Sequence, residues 1–572
     1  MKPVIYQLLV RLAGNRNHSA KPFGTIDENG CGKFNDLDDH FLQSLRHFGI
    51  THLWLTGVIE HASCTDYSKF GIEPDNPLVV KGLAGSPYAI KDYYDVCPDL
   101  AESVDNRMQE FAALIARCHD AGLKPIIDFV PNHVARQYQS DQKPAGVEDL
   151  GQNDDKAKAF SPQNNFYYIP DQPLNLPREV FDLQHVKKTK PALFIENPAK
   201  VTGNDQFSNS PAISDWYETV KLNYGVDYLG GKTKHFDPLP DTWKKMLDIL
   251  FFWASKGISG FRCDMAEMVP VEFWEWAIQR VKNKYPEILF IAEIYNPRAY
   301  QIYFEKGGFD YLYDKDGMYD TMREIMTGRK PASELTEVWQ NLQGLDRYML
   351  RFLENHDEQR VASPQFAGNP MAGIPAMAVA ATMHKGPVMI YFGQELGESA
   401  PDAPGFSGDD GRTTIFDYYH VPTFQKWFNN GKCNEELLSE EQKNLRKQYE
   451  RLLKLCQEQV IRNGEFYDLM WFNQSFNDFE KNKIFAFLRW DDSVFWLVVA
   501  NFSHYESQQI RIRVPKHFGE LARIQPDIKL TTIAIVYQTP LPENIPFYVL
   551  AESGLEVVVN PLNYTVIGLK KN

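Results

Sequence analysis

Residues 260–264, GFRCD, form an apolar run that ends in an acid and precedes a helix-like stretch. Three more segments of the chain follow the same order of apolar strand, acid and helix. In a closed sheet of parallel strands joined by helices, such strand ends meet at one face of the molecule. The pattern therefore predicts one site built from several carboxylates. The other segments are IIDFVPNH at 126–133, FIAE at 290–293 and FLENHD at 352–357.

The spacing of the acids fits repeats of strand and helix. Asp264 and Glu293 lie 29 residues apart, which is about one such repeat. Glu293 and Asp357 lie 64 apart, about two repeats, and Asp128 and Asp264 lie 136 apart, one repeat plus an insertion. All four acids are thus expected at the same end of successive or near-successive strands.

Strand and helix patterns alternate on both sides of the insertion, which predicts an α/β fold with a parallel sheet. Eight strands are counted, the number that a closed (β/α)8 TIM barrel needs. The predicted strands are 4–10, 50–55, 124–130, 258–263, 288–292, 309–313, 348–353 and 388–391.

The chain divides into a barrel and added parts. We predict the barrel at 1–133 and 240–430, with an inserted lobe at 134–239 after the third strand. The alternative for the insertion is a disordered linker, which its many Tyr, Phe and Trp residues disfavour. A helical connection at 431–475 leads to short alternating runs, which predict an all-β sandwich domain at 476–572.

Bulk composition excludes some classes of partner. Of the 572 residues 43% are hydrophobic and 24% charged, as in ordinary globular proteins, and the net charge is −15. This charge argues against nucleic acid or an anionic membrane as partner. No apolar run reaches about 18 residues, the length of a membrane span. Seven scattered cysteines and no visible signal peptide favour a cytoplasmic location, while the oligomeric state is not readable.

The neighbours of the acids suggest distinct chemical roles. Arg262 lies on the same side of its strand as Asp264 and is expected to keep that acid ionised. Glu293 follows an apolar strand, which favours a raised pKa and a proton ready to donate. A single acid after a strand is more often a helix cap, but four in order indicate a site that cleaves glycosidic bonds.

These segments resemble the four signature regions of the α-amylase family of retaining glycoside hydrolases. The resemblance covers residues 1 to about 425, and SPYAIKDY at 86–93 resembles the family's segment after the second strand. It implies that Asp264 is the nucleophile, Glu293 the general acid/base and Asp357 the transition-state stabiliser. It also implies that four residues bind the sugar to be cleaved, namely Tyr88, His133, Arg262 and His356.

The sequence departs from the family at the part of the site that holds the sugar on the leaving-group side of the cleaved bond. Many α-amylases carry Lys-His three and four residues after the nucleophile, and this chain has Glu267-Met268. By resemblance Asn132 is a calcium ligand between barrel and lobe, with bracing of the His133 loop as the alternative. The loop 27–32, DENGCG, has two interpretations. We expect a structural turn first and a metal site second, because the thiol of Cys31 is a poor calcium ligand. No organic cofactor is expected.

The leading functional prediction is a retaining hydrolase of α-glucans or α-glucooligosaccharides that forms a covalent glycosyl-enzyme. A glycosyl transferase or phosphorylase on the same scaffold is the first alternative. A catalytically inactive carbohydrate-binding homologue is the second. The lobe and the loops after strands seven and eight, including 397–411, are expected to set the length of the substrate.

Overall fold

A computed structural model of the chain describes residues 2–401, 408–537 and 539–571. Eight parallel strands, labelled β1 to β8, form one sheet, and an isolated parallel bridge from Arg351 to Val388 joins β7 to β8. The sheet therefore closes on itself, and the predicted (β/α)8 barrel is confirmed. The strands are Val4–Leu9, His52–Thr56, Lys124–Phe129, Gly260–Cys263, Leu289–Ala292, Tyr311–Tyr313, Met349–Leu350 and Val388–Tyr391.

Helices cover the outside of the barrel with one apolar face each. In Asp39–Phe48 the buried residues recur at helical spacing, the Asp38 side chain accepts from the N–H of Phe41, and Gly49 ends the helix at φ 108°. Such a left-handed end strongly favours glycine. The other long helices are Arg107–Asp120, Asp241–Ser255, Val271–Lys284, Glu334–Asn341 and Gly373–Thr382, with shorter ones at Tyr300–Glu305 and Asp320–Met326.

The interior of the barrel separates into an apolar layer and a polar rim. Alternate residues of a strand face the same side. Ile126 in β3 and Ile291 in β5 belong to the apolar layer, and Asp128 and Glu293 follow them two positions later. The strand register therefore carries the acids to the carboxyl end of the barrel. The apolar layer comprises Ile5, Trp54, Ile126, Ile291, Tyr313, Tyr319, Leu350, Phe352 and Met389.

The insertion after β3 is a folded lobe of short strand pairs. His133–Ala135 pairs with Thr219–Lys221, so the entrance and the exit of the lobe are held together beside the barrel rim. The remaining elements are the pairs Tyr168–Ile169 with Ala199–Lys200 and Val226–Asp227 with Thr233–Lys234, the single-turn stretch Arg178–Asp182 and the helix Gln184–Thr189.

Two antiparallel sheets follow the helix Glu440–Leu455. The first strand, Glu465–Asp468, lies before the expected domain boundary at 476. The sequence analysis missed this strand because four residues are too few to show an alternating pattern. Among the described residues no helix combines the length and apolar character needed to cross a bilayer. The other strands of the large sheet are Ile484–Trp490, Val494–Asn501, Asn563–Lys571, Lys529–Val536 and Asn544–Pro546, and Gln508–Ile512 pairs with Leu555–Val559.

Candidate active site

One arginine holds the strand-end acids together at the rim of the barrel. Asp264 directly follows β4 and Glu293 directly follows β5. The terminal nitrogens of Arg262 lie 2.7 Å from Asp264 Oδ1, 2.5 Å from Glu293 Oε1 and 3.5 Å from Asp128 Oδ1. The structure thus places three of the four predicted acids around a single guanidinium.

The acids open into a pocket of about 260 Å³ between the barrel rim, the inserted lobe and the segment after β8. Six residues predicted from sequence line it, whereas Arg262 is fully buried and is not among the lining residues. Of the 397–411 loop, residues 402–407 lie outside the described residues. The lining residues are Lys81, Ser86, Tyr88, His133, Trp216, Glu218, Thr219, Asp264, Met265, Glu293, Tyr295, His356, Asp357, Ile415 and Phe416.

Burial governs the charge of the two central carboxyls. It raises the pKa of Asp264 and of Glu293, and the guanidinium of Arg262 offsets part of each rise. Arg262 therefore favours the ionised form of Asp264, as expected, but burial of the carboxyl opposes this effect. Because several acids compete for one cation, the pair favours holding one proton between them, as coupled carboxyls do.

The Asp264 carboxylate leaves one oxygen for chemistry. Its Oδ1 accepts from Arg262, while its Oδ2 accepts no hydrogen bond from any described residue. Met265, the next residue, is left-handed at φ 44°, and its N–H donates to Glu293 Oε2 at 2.7 Å. This strained backbone conformation directs the N–H of Met265 toward the carboxylate of Glu293. The sequence analysis did not predict this role of Met265.

Glu293 is held by a tyrosine that the sequence analysis missed. The hydroxyl of Tyr295 donates to Glu293 Oε1 at 2.7 Å. This hydrogen bond favours the ionised carboxylate and lowers its pKa, against the effect of burial. A tyrosine two positions after the acid, on the same side of the chain, was the available signal.

Asp357 completes the triplet from the loop after β7. Burial, Glu293 and Asp264 raise its pKa to about 8, and Arg262 opposes this. Its side chain is 35% exposed to the pocket, so the rise is weakened until a substrate excludes water. A protonated Asp357 can donate a hydrogen bond to a sugar hydroxyl.

His356 is oriented by a residue of the first strand. With the Gln7 amide placed as it is, its Nε2 donates to His356 Nδ1 at 2.9 Å, so the proton of the ring faces Asp357 at 3.1 Å. Burial lowers the pKa of His356 well below its usual range and keeps the ring neutral. A glutamine in the apolar run VIYQLLV was the sequence signal for this contact.

Tyr88 and His133 both line the pocket. The ring of Tyr88 stacks on His356 at 5.0 Å, and the ring of His133 lies 5.2 Å from Trp216 of the lobe. Burial lowers the pKa of His133 to about 4, so this ring is neutral as well. Asp128 accepts from Trp54 and Tyr88, and thus positions these aromatic rings.

Glu267 contacts the loop after β5 and does not line the pocket. Its carboxylate accepts from the backbone N–H groups of Tyr295 at 3.2 Å and Asn296 at 3.3 Å. It therefore steadies the loop that carries Tyr295, and it is not among the residues that line the cavity. Glu267, which replaces the lysine of many α-amylases, thus contacts the loop after β5 and does not line the cavity.

Comparisons with known proteins identify the family. The family model described as "Alpha amylase, catalytic domain" matches residues 20–464, and "Alpha amylase, C-terminal all-beta domain" matches residues 476–524. The chain belongs to the α-amylase family. This agrees with the barrel, the lobe after β3 and the four rim segments.

Individual relatives are distant. Alpha-amylase 3 of Dictyoglomus thermophilum is 24% identical over 426 residues, 71% of this chain and 69% of that protein. The maltogenic α-amylase AmyB of Thermotoga neapolitana superposes with a TM-score of 0.61 at 20% identity, covering 100% of this chain and 99% of that one. An α-1,4-glucan:maltose-1-phosphate maltosyltransferase of Pseudomonas aeruginosa is 30% identical over 165 residues, 28% of this chain and 23% of that protein. The chain thus matches under a quarter of the length of this relative.

The α-amylase family implies calcium at Asn132, and the residues there do not fit the ion. Asn132 Oδ1 accepts from Lys221 Nζ at 2.8 Å, and the same ammonium lies 2.6 Å from Asp205 Oδ1. A calcium ion at this oxygen would meet a buried positive charge. Asn132 also donates to the carbonyl of Gly203 at 2.8 Å and so braces the lobe against the barrel.

The DENGCG loop does not offer the ligands of a metal site either. Residues 26–29 form a capped helical turn, and the amide of Asn29 donates to the carbonyls of Lys21 and Tyr418. Burial raises the pKa of the Cys31 thiol to about 12, so it stays protonated. The loop is a structural turn, the first of the two interpretations.

Replacing Lys221 tests whether its ammonium group stabilises the contact between the lobe and the barrel at Asn132. Lys221→Met leaves the buried Asn132 oxygen and Asp205 without their donor, so we expect a loss of about 1–3 kcal/mol in the free energy of unfolding. Urea denaturation measures it. Lys158→Met, which removes an exposed pair, is the control, with an expected change below about 0.5 kcal/mol. Equal effects of both variants would contradict the role of Lys221.

Proposed function

We propose that the protein is a retaining α-glucosidic hydrolase that acts on α-linked glucans or oligosaccharides through a covalent glycosyl-enzyme. One observation carries this proposal: Asp264 and Glu293 contact the same guanidinium, at 2.7 and 2.5 Å, inside one pocket. Such closeness suits a retaining pair, at about 5–5.5 Å, better than an inverting pair with a water between them at about 6.5–9.5 Å.

The proposed reaction has two displacements. Asp264 Oδ2 attacks the anomeric carbon while Glu293 gives its proton to the leaving oxygen, so one C–O bond forms as the other breaks. Glu293 then takes a proton from water, whose oxygen displaces Asp264 from the same carbon. Protonated Asp357 and the neutral His133 and His356 donate to sugar hydroxyls, and Tyr88 packs against the ring.

Transfer to phosphate is the second candidate, since maltose-1-phosphate maltosyltransferases are among the relatives. A phosphate acceptor needs cations to receive it. Lys81 lines the pocket and lies 2.8 Å from Glu218, and Arg262 is engaged with Asp264 and Glu293. Because both cations are already paired with carboxylates, the charge balance favours water as the acceptor.

Incubation with maltotriose, with and without inorganic phosphate, tests the choice of acceptor. We expect glucose and maltose at the same rate in both reactions, without sugar phosphates. If sugar phosphate forms in the reaction that contains phosphate, the enzyme is a phosphorylase and the proposal of hydrolysis is wrong. Longer oligosaccharides as the main products would indicate transfer, and no turnover on any α-glucan would contradict an enzyme of this class.

The pH profile should respond to Tyr295. Activity needs Asp264 ionised and Glu293 protonated, and both pKa values are raised, so the active range lies above the ordinary carboxyl range. Tyr295→Phe removes a bond that favours ionised Glu293, raising its pKa further. The high-pH limb of kcat/KM should therefore move up by about 0.5–1 pH unit.

The control for this pH shift is Tyr303→Phe. Its hydroxyl donates to the carbonyls of Glu267 and Val269 and does not contact Glu293. Its pH profile should match that of the unchanged protein. A high-pH limb that stays in place or moves down in Tyr295→Phe would show that Tyr295 does not tune Glu293.

We propose a cytoplasmic location as well. All seven cysteines are free thiols, four of them buried, which suits a reducing compartment. Cell fractionation with a cytoplasmic marker tests this. Activity recovered in the culture medium or an envelope fraction would contradict it.

A further inference from the structure

Three carboxylates outside the catalytic pocket meet where the inserted lobe begins. Glu60 lies on strand Ile59–His61 and Asp92 on its antiparallel partner Ile90–Val96, while Asp141 follows in the lobe. One oxygen of each lies within 4.8 Å of the others. The three segments are far apart in sequence, so the fold itself gathers these acids.

Two oxygens of the cluster have no donor. Glu60 is 1% exposed, and its Oε2 accepts no hydrogen bond from the described residues. The side chain of Asp141 is 17% exposed, but its Oδ1 atom is shielded from solvent and has no donor within the described chain. A buried carboxylate oxygen without a donor or a cation carries a large desolvation cost, so both oxygens point to a missing ligand.

Asp92 supplies the fixed side of the cluster. Its Oδ2 accepts from the backbone N–H groups of Asp141 at 2.9 Å and Gln142 at 3.0 Å, and its Oδ1 accepts from Ser140 Oγ at 2.6 Å. The hairpin therefore already grips the first residues of the lobe. This preorganised carboxylate holds Asp141 next to Glu60.

Negative charge exceeds positive charge around Glu60. Asp95 is fully buried and is paired with Arg107, which also lies 3.6 Å from Asp141. Lys91 also acts on Glu60, but its ammonium is paired with Asp75 at 3.2 Å, so the carboxylates around Glu60 still outnumber the cations. Without another cation, burial and the neighbouring acids raise the pKa of Glu60 well above its usual range, so the site takes up either a proton or a metal ion.

We propose that Glu60, Asp92 and Asp141 bind a calcium ion that fastens the lobe to the hairpin. The donors are all carboxylate oxygens, which hard cations prefer. Two oxygens that bind calcium at about 2.3–2.6 Å stand up to about 5 Å apart, which accommodates this cluster. Magnesium, with its tighter shell and retained waters, suits a cluster with two buried carboxylates less well.

Calcium titration of the chelator-stripped, full-length protein tests the proposal. Calorimetry should find one calcium ion per chain, and calcium at about 100 times its Kd should raise the apparent melting temperature by about 2 °C or more. Glu60→Gln keeps the side-chain shape and should lose both the binding and the shift. Glu148→Gln, an exposed acid of the same lobe, should keep both.

Three results would overturn the calcium site. The first is no calcium binding to the unchanged protein at millimolar calcium. The second is undiminished binding to Glu60→Gln, which would place the ion elsewhere. The third is a Glu60→Gln protein that is more stable than the unchanged one while calcium stabilises neither, which would show that a proton occupies the cluster. If Glu60→Gln does not fold, Asp141→Asn replaces it, with calcium affinity expected to fall at least tenfold and unchanged affinity overturning the proposal.

Discussion

Asp264→Asn should lower kcat on maltotriose by about 10⁴-fold or more, because the amide oxygen cannot form the glycosyl-enzyme. The variant should still fold. Burial raises the pKa of Asp264, so a neutral side chain of the same shape removes a desolvation cost at that position. Steady-state kinetics and a melting curve, measured on one preparation, give both quantities.

The control for this variant is Asp248→Asn, an exposed acid on the helix Asp241–Ser255. It should retain full activity. Near-normal turnover by a folded Asp264→Asn protein would remove Asp264 from the role of nucleophile. Loss of activity together with loss of folding would instead assign Asp264 a structural role.

Glu293→Gln should slow maltotriose cleavage by about 10²–10⁴-fold, because the leaving oxygen then departs without a proton. A fluoride leaving group needs no such help. With α-maltosyl fluoride, the variant should release a burst of about one fluoride per chain and then stall, because no base activates water. Mass spectrometry should detect the trapped maltosyl-enzyme.

Azide distinguishes this role from a simple structural defect. As an anion that needs no base, azide should restore turnover of the fluoride by Glu293→Gln and yield a maltosyl azide. Glu275→Gln, an exposed acid on the helix Val271–Lys284, should behave like the unchanged protein. Absence of both the burst and the azide rescue would contradict the assignment of Glu293 as general acid/base.

Local sequence predicted the barrel because each strand carries its own signal. The runs that lead to Asp264 and Glu293 are apolar and bounded by helices, so their positions in β4 and β5 follow from pattern and spacing. Register then decides which residues share a face, which is why Arg262 was expected beside Asp264. Asp357 was expected directly after a strand at 348–353, but β7 ends seven residues before it, at Leu350, so the following loop carries this acid.

Contacts between distant segments were beyond the reach of such patterns. Gln7 of β1 contacts His356 after β7, and Lys221 donates to Asn132 although 89 residues of sequence separate them. Glu60 and Asp141 are 81 residues apart and meet only because a hairpin and the lobe fold against each other. Each contact depends on the closed tertiary structure, and no local spacing encodes it.

The configuration of the first sugar released tests the central claim most directly. Proton NMR of a maltotriose digest, recorded before the anomers equilibrate, identifies that configuration. Double displacement at Asp264 predicts that the newly formed reducing end appears first as the α-anomer, which then converts slowly to the equilibrium mixture. Initial appearance of the β-anomer would show a single displacement by water and would contradict the proposed mechanism.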